Sequence, residues 1–99
     1  MRTGERSGLF LHYFLMKPIG KVIHYYSKAG VAIIELQDQL KVGDRIRIEK
    51  GENTFEQEVS SMQKEHQPVE KGEKGDAVGI KVDQKSKEGS LVLLLKEGE

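Results

Sequence analysis

Leu40-Lys41-Val42-Gly43-Asp44-Arg45-Ile46-Arg47-Ile48 is the stretch whose reading decides the fold of this 99-residue chain. Gly43-Asp44 predicts a tight turn, with the Asp side chain free to bond nearby backbone amides. Directly after it, Arg45–Glu49 alternates: Ile46 and Ile48 point one way, Arg45, Arg47 and Glu49 the other, the period of a half-buried strand. Lys50-Gly51-Glu52-Asn53 then reads as a hairpin turn. Thr54–Met62 resumes a strand with Phe55 and Val59 on one face. Met62 falls on the opposite parity, which predicts a bulge near Ser60-Ser61.

The pattern continues in both directions. Upstream, Ile19–Tyr26 is rich in β-branched and aromatic residues, which favour a pleated surface. The turn cluster Ser27-Lys28-Ala29-Gly30 separates it from Val31–Leu36, so these two segments predict a hairpin. Downstream, Gln63–Asp76 is the longest connection, a polar loop in which Pro68, Gly72 and Gly75 disfavour a helix. Ala77–Val82 and Ser90–Lys96 complete the set. Leu91–Leu95 is apolar on both parities, as in a strand covered on both faces. Short strands without a credible helix predict an all-β fold, here a closed six-stranded β-barrel, because closure removes exposed edges. The sequence shows no internal repeat.

Residues 1–15 read differently. Arg2, Glu5 and Arg6 lead into the apolar run Leu9–Met16, which is too short to span a bilayer, a task needing about 20 residues. No small-residue cleavage site comes after it, so a secretory signal is not indicated. Two readings stand: Met16 is the true initiator and 1–15 arise from an upstream start, or Leu9, Phe10, Tyr13 and Phe14 pack on the domain. The domain proper is read as residues 16–99, with 1–15 an extension.

Sixteen basic residues against sixteen acidic ones leave no net charge, so no global field collects nucleic acid. The absence of cysteine excludes disulfides, thiolate metal sites and a cysteine nucleophile. No phosphate-cradling loop occurs, since Gly72-Glu73-Lys74-Gly75 lacks both the spacing and the Lys-Ser/Thr ending. His12, His24 and His66 stand in separate segments, which argues against zinc. His24 is expected to be partly buried and hydrogen-bonded, and His66 exposed. Ser60, Ser61, His66 and Asp76 invite a nucleophile reading, but no G-x-S-x-G elbow supports it. Glu56 and Glu58 share a strand face and read as its solvent side. No cofactor, metal or catalytic group is expected.

Three segments in order resemble the second domain of translation GTPases, the β-barrel that follows the GTP-binding domain of elongation factor Tu. They are Ile19-Gly20-Lys21-Val22, the Leu40–Ile48 stretch, and Val59-Ser60-Ser61-Met62-Gln63-Lys64 succeeded by Gly75-Asp76-Ala77-Val78-Gly79-Ile80. The chain is still more similar to the barrel domain at the C-terminus of collagenase-like peptidases and to its free-standing, elongation-factor-like relatives. In these, segments like Phe55–Met62 and Gly75–Val82 stand at similar places. Gly43, Asp44, Gly75, Asp76 and Gly79 are the structural turn and close-approach positions of the shared pattern.

The resemblance implies a translation-factor-type barrel and an RNA-facing surface, for which Arg45, Arg47, Lys64, His66 and Lys81 are the candidate residues. Glu49, Glu56 and Glu58 oppose that field. The first reading is therefore a non-catalytic binding module that docks on RNA, a ribonucleoprotein or a partner protein. Its alternative is a protein-interaction domain, an accessory subunit for a peptidase-like enzyme. Neither GTP binding nor a membrane is implied, and a cytoplasmic home is the simplest expectation.

Overall fold

Alternating apolar residues and frequent turns produce an all-β chain. The computed structural model describes residues 15–96, and among them there are ten strands and no helix. They are β1 (Leu15–Tyr26), β2 (Val31–Leu36), β3 (Leu40–Lys41), β4 (Arg45–Lys50), β5 (Asn53–Glu58), β6 (Met62–Lys64), β7 (Gln67–Pro68), β8 (Lys71–Gly72), β9 (Ala77–Lys81) and β10 (Leu91–Lys96). Eight form one antiparallel sheet in the order β5-β4-β10-β1-β2-β9-β6-β7, while β3 and β8 pair separately. Apart from Leu15, the expectations about residues 1–15 lie outside the described residues.

One face of this sheet makes the core. Ala32, Ile34 and Leu36 of β2, Ile46 and Ile48 of β4, Val78 and Ile80 of β9 and Val92 of β10 are all buried. The long β1 reaches the same core differently, through Ile19, Val22 and the half-buried Tyr25. Two bulges explain this three-residue spacing: Ile19 is the extra residue against β10, and Ile23 the extra residue against β2. Each bulge flips the facing of the residues after it, and Ile23 is left exposed. Along β10, Leu93 and Leu95 are almost as buried as Val92 although they lie on the other parity.

The two Gly-Asp turns are built alike. In Lys41-Val42-Gly43-Asp44, the Asp44 carboxylate accepts from the Lys41 N–H at 2.9 Å and the Asp44 N–H donates to the Lys41 carbonyl at 3.0 Å. In Glu73-Lys74-Gly75-Asp76 the same two bonds measure 2.9 and 3.0 Å. Gly43 and Gly75 have φ of 98° and 94°, a region that side chains avoid. Each turn then clamps the end of another strand. The Gly43 N–H donates to Val59 and the Val59 N–H to Asp44, while the Gly75 N–H donates to Leu36 and the Leu36 N–H to Asp76. Between the turns β3 meets β8 with Leu40 opposite Gly72. A Cβ on Gly72 would stand 2.6 Å from Leu36 Cδ1 and 3.0 Å from Val78 Cγ1, so the crossing has room only for hydrogen.

The expected closed six-stranded barrel is not what forms. Among the described residues the ladder is open, because β5 has β4 as its only strand partner there and β7 has only β6. Two local expectations also change. Thr54–Met62 is not one bulged strand, since β5 ends at Glu58 and Met62 begins β6 beside β9. The expected loop Gln63–Asp76 contains the rest of β6 together with β7 and β8. The sheet nevertheless curls until β5 comes back to the end of β9. There the buried Gln57 side chain donates to the Lys81 carbonyl at 2.8 Å and accepts from the Asp83 N–H at 2.8 Å. This is the bonding of a strand's peptide group, supplied by a side-chain amide. Backbone closure stops here because Asp83–Gly89 has no apolar alternation to make a strand opposite β5.

Both the amide bridge and the second turn have measurable consequences. Gln57→Leu removes the bridge and leaves a carbonyl and an N–H without partners, so urea unfolding should show a loss of about 2–3 kcal/mol. The Glu73 N–H, and after it Lys64, hold the Asp76 carboxyl below the usual carboxylate range. A depressed folded-state value adds stability above the unfolded value of about 4, and that stability is lost as pH falls through the folded one. Melting temperatures of Asp76→Asn should therefore depend less on pH over this acid range than those of the parent.

Candidate functional site

The strand pattern places the five candidate basic residues on separate parts of the sheet. Arg45 and Arg47 share the outer face of β4, because Ile46 and Ile48 turn inward. Arg45 is exposed and stands opposite Glu58. Arg47 is opposite Glu56, with Nη1 3.9 Å from the Glu56 carboxylate and 3.8 Å from Met16 Sδ. Its Nε lies 3.1 Å from a Glu49 carboxylate oxygen without the N–H aimed at it, so the contact is an ion pair rather than a hydrogen bond. Lys81 ends β9 and is exposed. Lys64 and His66 belong to the β6–β7 hairpin, where Lys64 Nζ is 3.1 Å from Asp76. Along the ladder β10, β1 and β2 stand between β4 and β9, while the curl of the sheet brings the Lys81 backbone back to Gln57, which pairs with Ile46 between the two arginines.

The other candidates have local roles. His24 is about half exposed and hydrogen-bonded, with Nδ1 3.0 Å from a Glu88 carboxylate oxygen and an edge contact to the Tyr26 ring at 4.3 Å. Its bulged strand turns it away from the core. Ser60 and Ser61 are exposed between β5 and β6, and Asp76 is occupied by its turn and by Lys64. Among the described residues no group of three His, Cys, Asp or Glu side chains is arranged to hold a metal. Lys17 and the Gln39 N–H both engage Asp38, holding its carboxyl below the usual range.

A groove of about 390 Å³ occupies the outer face of β2 and β9. Ala32, Ile34, Val78 and Ile80 point to the core, so Val31, Ile33, Ala77 and Gly79 are left to form its floor. The point for a Cβ on Gly79 lies 3.2 Å from both Ile33 Cδ1 and Val31 Cγ1, which therefore cover that glycine. Tyr26 forms part of one wall, and Glu65 and His66 at the hairpin tip form part of the other. The lining contains no serine, threonine, cysteine or lysine. Such a surface offers apolar contact edged by hydrogen-bonding groups, the character of a binding groove.

Sequence reasoning picked out His66 but missed this groove and Gln57. Gln57 had a visible signal: it stands between Phe55 and Val59 on the inward parity of β5, a polar residue among core positions. The apolar pair Val31 and Ile33 on the outward parity of β2 was the corresponding signal for the groove.

No family model matches the chain. Over 80 residues, 80% of its length, it is 46% identical to an uncharacterised protease of Methanocaldococcus jannaschii. It spans about a fifth of that protease's length. Among solved structures it is similar to the C-terminal domain of a candidate U32 peptidase from Geobacillus thermoleovorans. That likeness has a TM-score of 0.73 at 16% identity and covers 84% of this chain and 93% of the other. The selenomethionine variant of the same domain matches with a TM-score of 0.73 at 18% identity, covering 77% and 96%. The fold is thus one found in peptidase C-terminal domains.

The groove's hairpin wall carries backbone strain. Lys64 pairs with Gln67 across a two-residue turn, and Glu65 and His66 at its centre have φ of 52° and 67°. Turns of this geometry favour Asn-Gly, which enters the left-handed region with less steric cost. Glu65→Asn with His66→Gly should raise stability by about 1–2 kcal/mol in urea unfolding.

Proposed function

We propose that this chain is a non-catalytic binding domain that serves a peptidase-like protein as an accessory module. The observation carrying this reading is the match at 46% identity over 80 residues to a region making up about a fifth of a protease. The surface supports the binding part of this reading: the outer groove has an apolar floor edged by the hydrogen-bonding groups of Tyr26, Glu65 and His66. A translation-factor-type architecture over residues 16–99 and a cytoplasmic setting belong to the same proposal. The RNA-facing surface of Arg45, Arg47, Lys64, His66 and Lys81 ranks behind it. Arg47 and Lys64 already sit beside carboxylates, which offset the charge a phosphate backbone would need.

Capture of the tagged full-length chain from its native cells, combined with mass spectrometry and RNA sequencing, separates the two. The expected result is enrichment of a protein similar to the other four-fifths of the Methanocaldococcus jannaschii protease. Enrichment of tRNA or ribosomal RNA, lost in Arg45→Glu/Arg47→Glu and weakened by salt, would overturn the accessory reading in favour of RNA.

A further inference from the structure

The seam where the curled sheet fails to close is a site in its own right. At one end it is sealed by the Gln57 amide. At the other it opens into a cleft of about 300 Å³ between the start of β5 and the segment that precedes β10. Lys50 and Asn53 close the β4–β5 hairpin around Gly51 and Glu52. A two-residue hairpin starts on a hydrogen-bonded pair, so Asn53, Phe55 and Gln57 direct their backbone groups to β4. Thr54 and Glu56 therefore direct theirs into the seam, where no backbone partner meets them among the described residues. An open strand edge of this kind is a template for another strand.

The walls of the cleft specify what would fit. Phe55 and Ile48 provide an apolar side. Lys50, Lys85 and Lys87 provide a cationic one, against Glu52 as the only acidic residue of the lining. The Lys50 ammonium lies 3.0 Å from where a Cβ on Gly89 would stand, at the end of the β4–β10 pair that borders the cleft. None of these three lysines forms an ion pair among the described residues.

We infer that the seam accepts an extended acidic polypeptide segment, which adds as a strand to β5 and sets its carboxylates against Lys50, Lys85 and Lys87. Backbone pairing with Thr54 and Glu56 provides the attachment, and the lysines select an acidic partner. Nucleic acid would satisfy the lysines and leave the strand edge unpaired, so a peptide is the better fit. This inference goes beyond the accessory role and does not depend on it.

The probe is a fluorescein-labelled peptide of about six residues, the usual strand length, alternating valine and glutamate. Anisotropy should show binding to the full chain that weakens with salt, while the same peptide with lysine for glutamate does not bind. Amide exchange monitored by NMR should slow at Thr54 and Glu56. Lys85→Glu/Lys87→Glu should lower affinity about tenfold or more, as two reversed surface ion pairs would. Thr54→Pro removes an edge donor outside the β4 ladder and should abolish binding while the melting transition is kept. The inference is overturned by no binding, by equal binding of the lysine peptide, or by binding that leaves the Thr54 and Glu56 amides unprotected. It is also overturned if a single-stranded oligonucleotide displaces the peptide and binds more tightly.

Discussion

The structure depends on a constraint met twice, an Asp that bonds back to the start of its own turn after a glycine held at positive φ. Asp44 and Asp76 each close such a turn, and each turn also clamps the end of a distant strand, at Val59 and Leu36. Local turn chemistry thereby sets long-range order. The turn at Gly43 joins the end of β5 to the start of β4, and the turn at Gly75 joins the end of β2 to the start of β9. Between the two devices β3 pairs with β8. The likeness of the two turns shows in the sequence only as the shared Gly-Asp pair; the rest of it resides in the four hydrogen bonds that each turn makes.

These clamps explain why the sheet curls without closing. They bring strand ends together at one end of the molecule, around Val59 and Leu36. Among the described residues nothing equivalent acts on the start of β5, from Asn53 to Glu56. The remaining segment from Asp83 to Gly89 is polar, and its backbone turns at Gly89 with φ of 89°. A side-chain amide closes what can be closed, at Lys81 and Asp83. The rest is left as a cleft with an unpaired edge. The same absence of a strand opposite β5 that defeats a closed barrel also produces the most distinctive exposed feature of the fold.

The candidate residues of β4 and the groove lie on the outside of this sheet. Arg47 of β4 lies against the carboxylates of Glu49 and Glu56, so its charge is largely local. The groove on β2 and β9 exists because both faces of those strands carry apolar residues, and the core can use only one. Similarity to C-terminal domains of candidate peptidases concerns the fold of this sheet.

By itself the sequence determined the all-β class, most strand segments, both Gly-Asp turns and the inward residues Ile46 and Ile48 of β4. These are legible because alternation and turn chemistry act within a few residues of one another. Tertiary structure decided the two bulges of β1, the splitting of Thr54–Met62 between two distant strands, the small strands β6 to β8, the groove and the open seam. Each depends on which strand comes to lie beside which, and such pairing between remote segments leaves no periodic trace along the chain. Gln57 shows the boundary between the two: its polar side chain on an inward parity is plain in the sequence, but its partners at Lys81 and Asp83 arrive only when the sheet has curled.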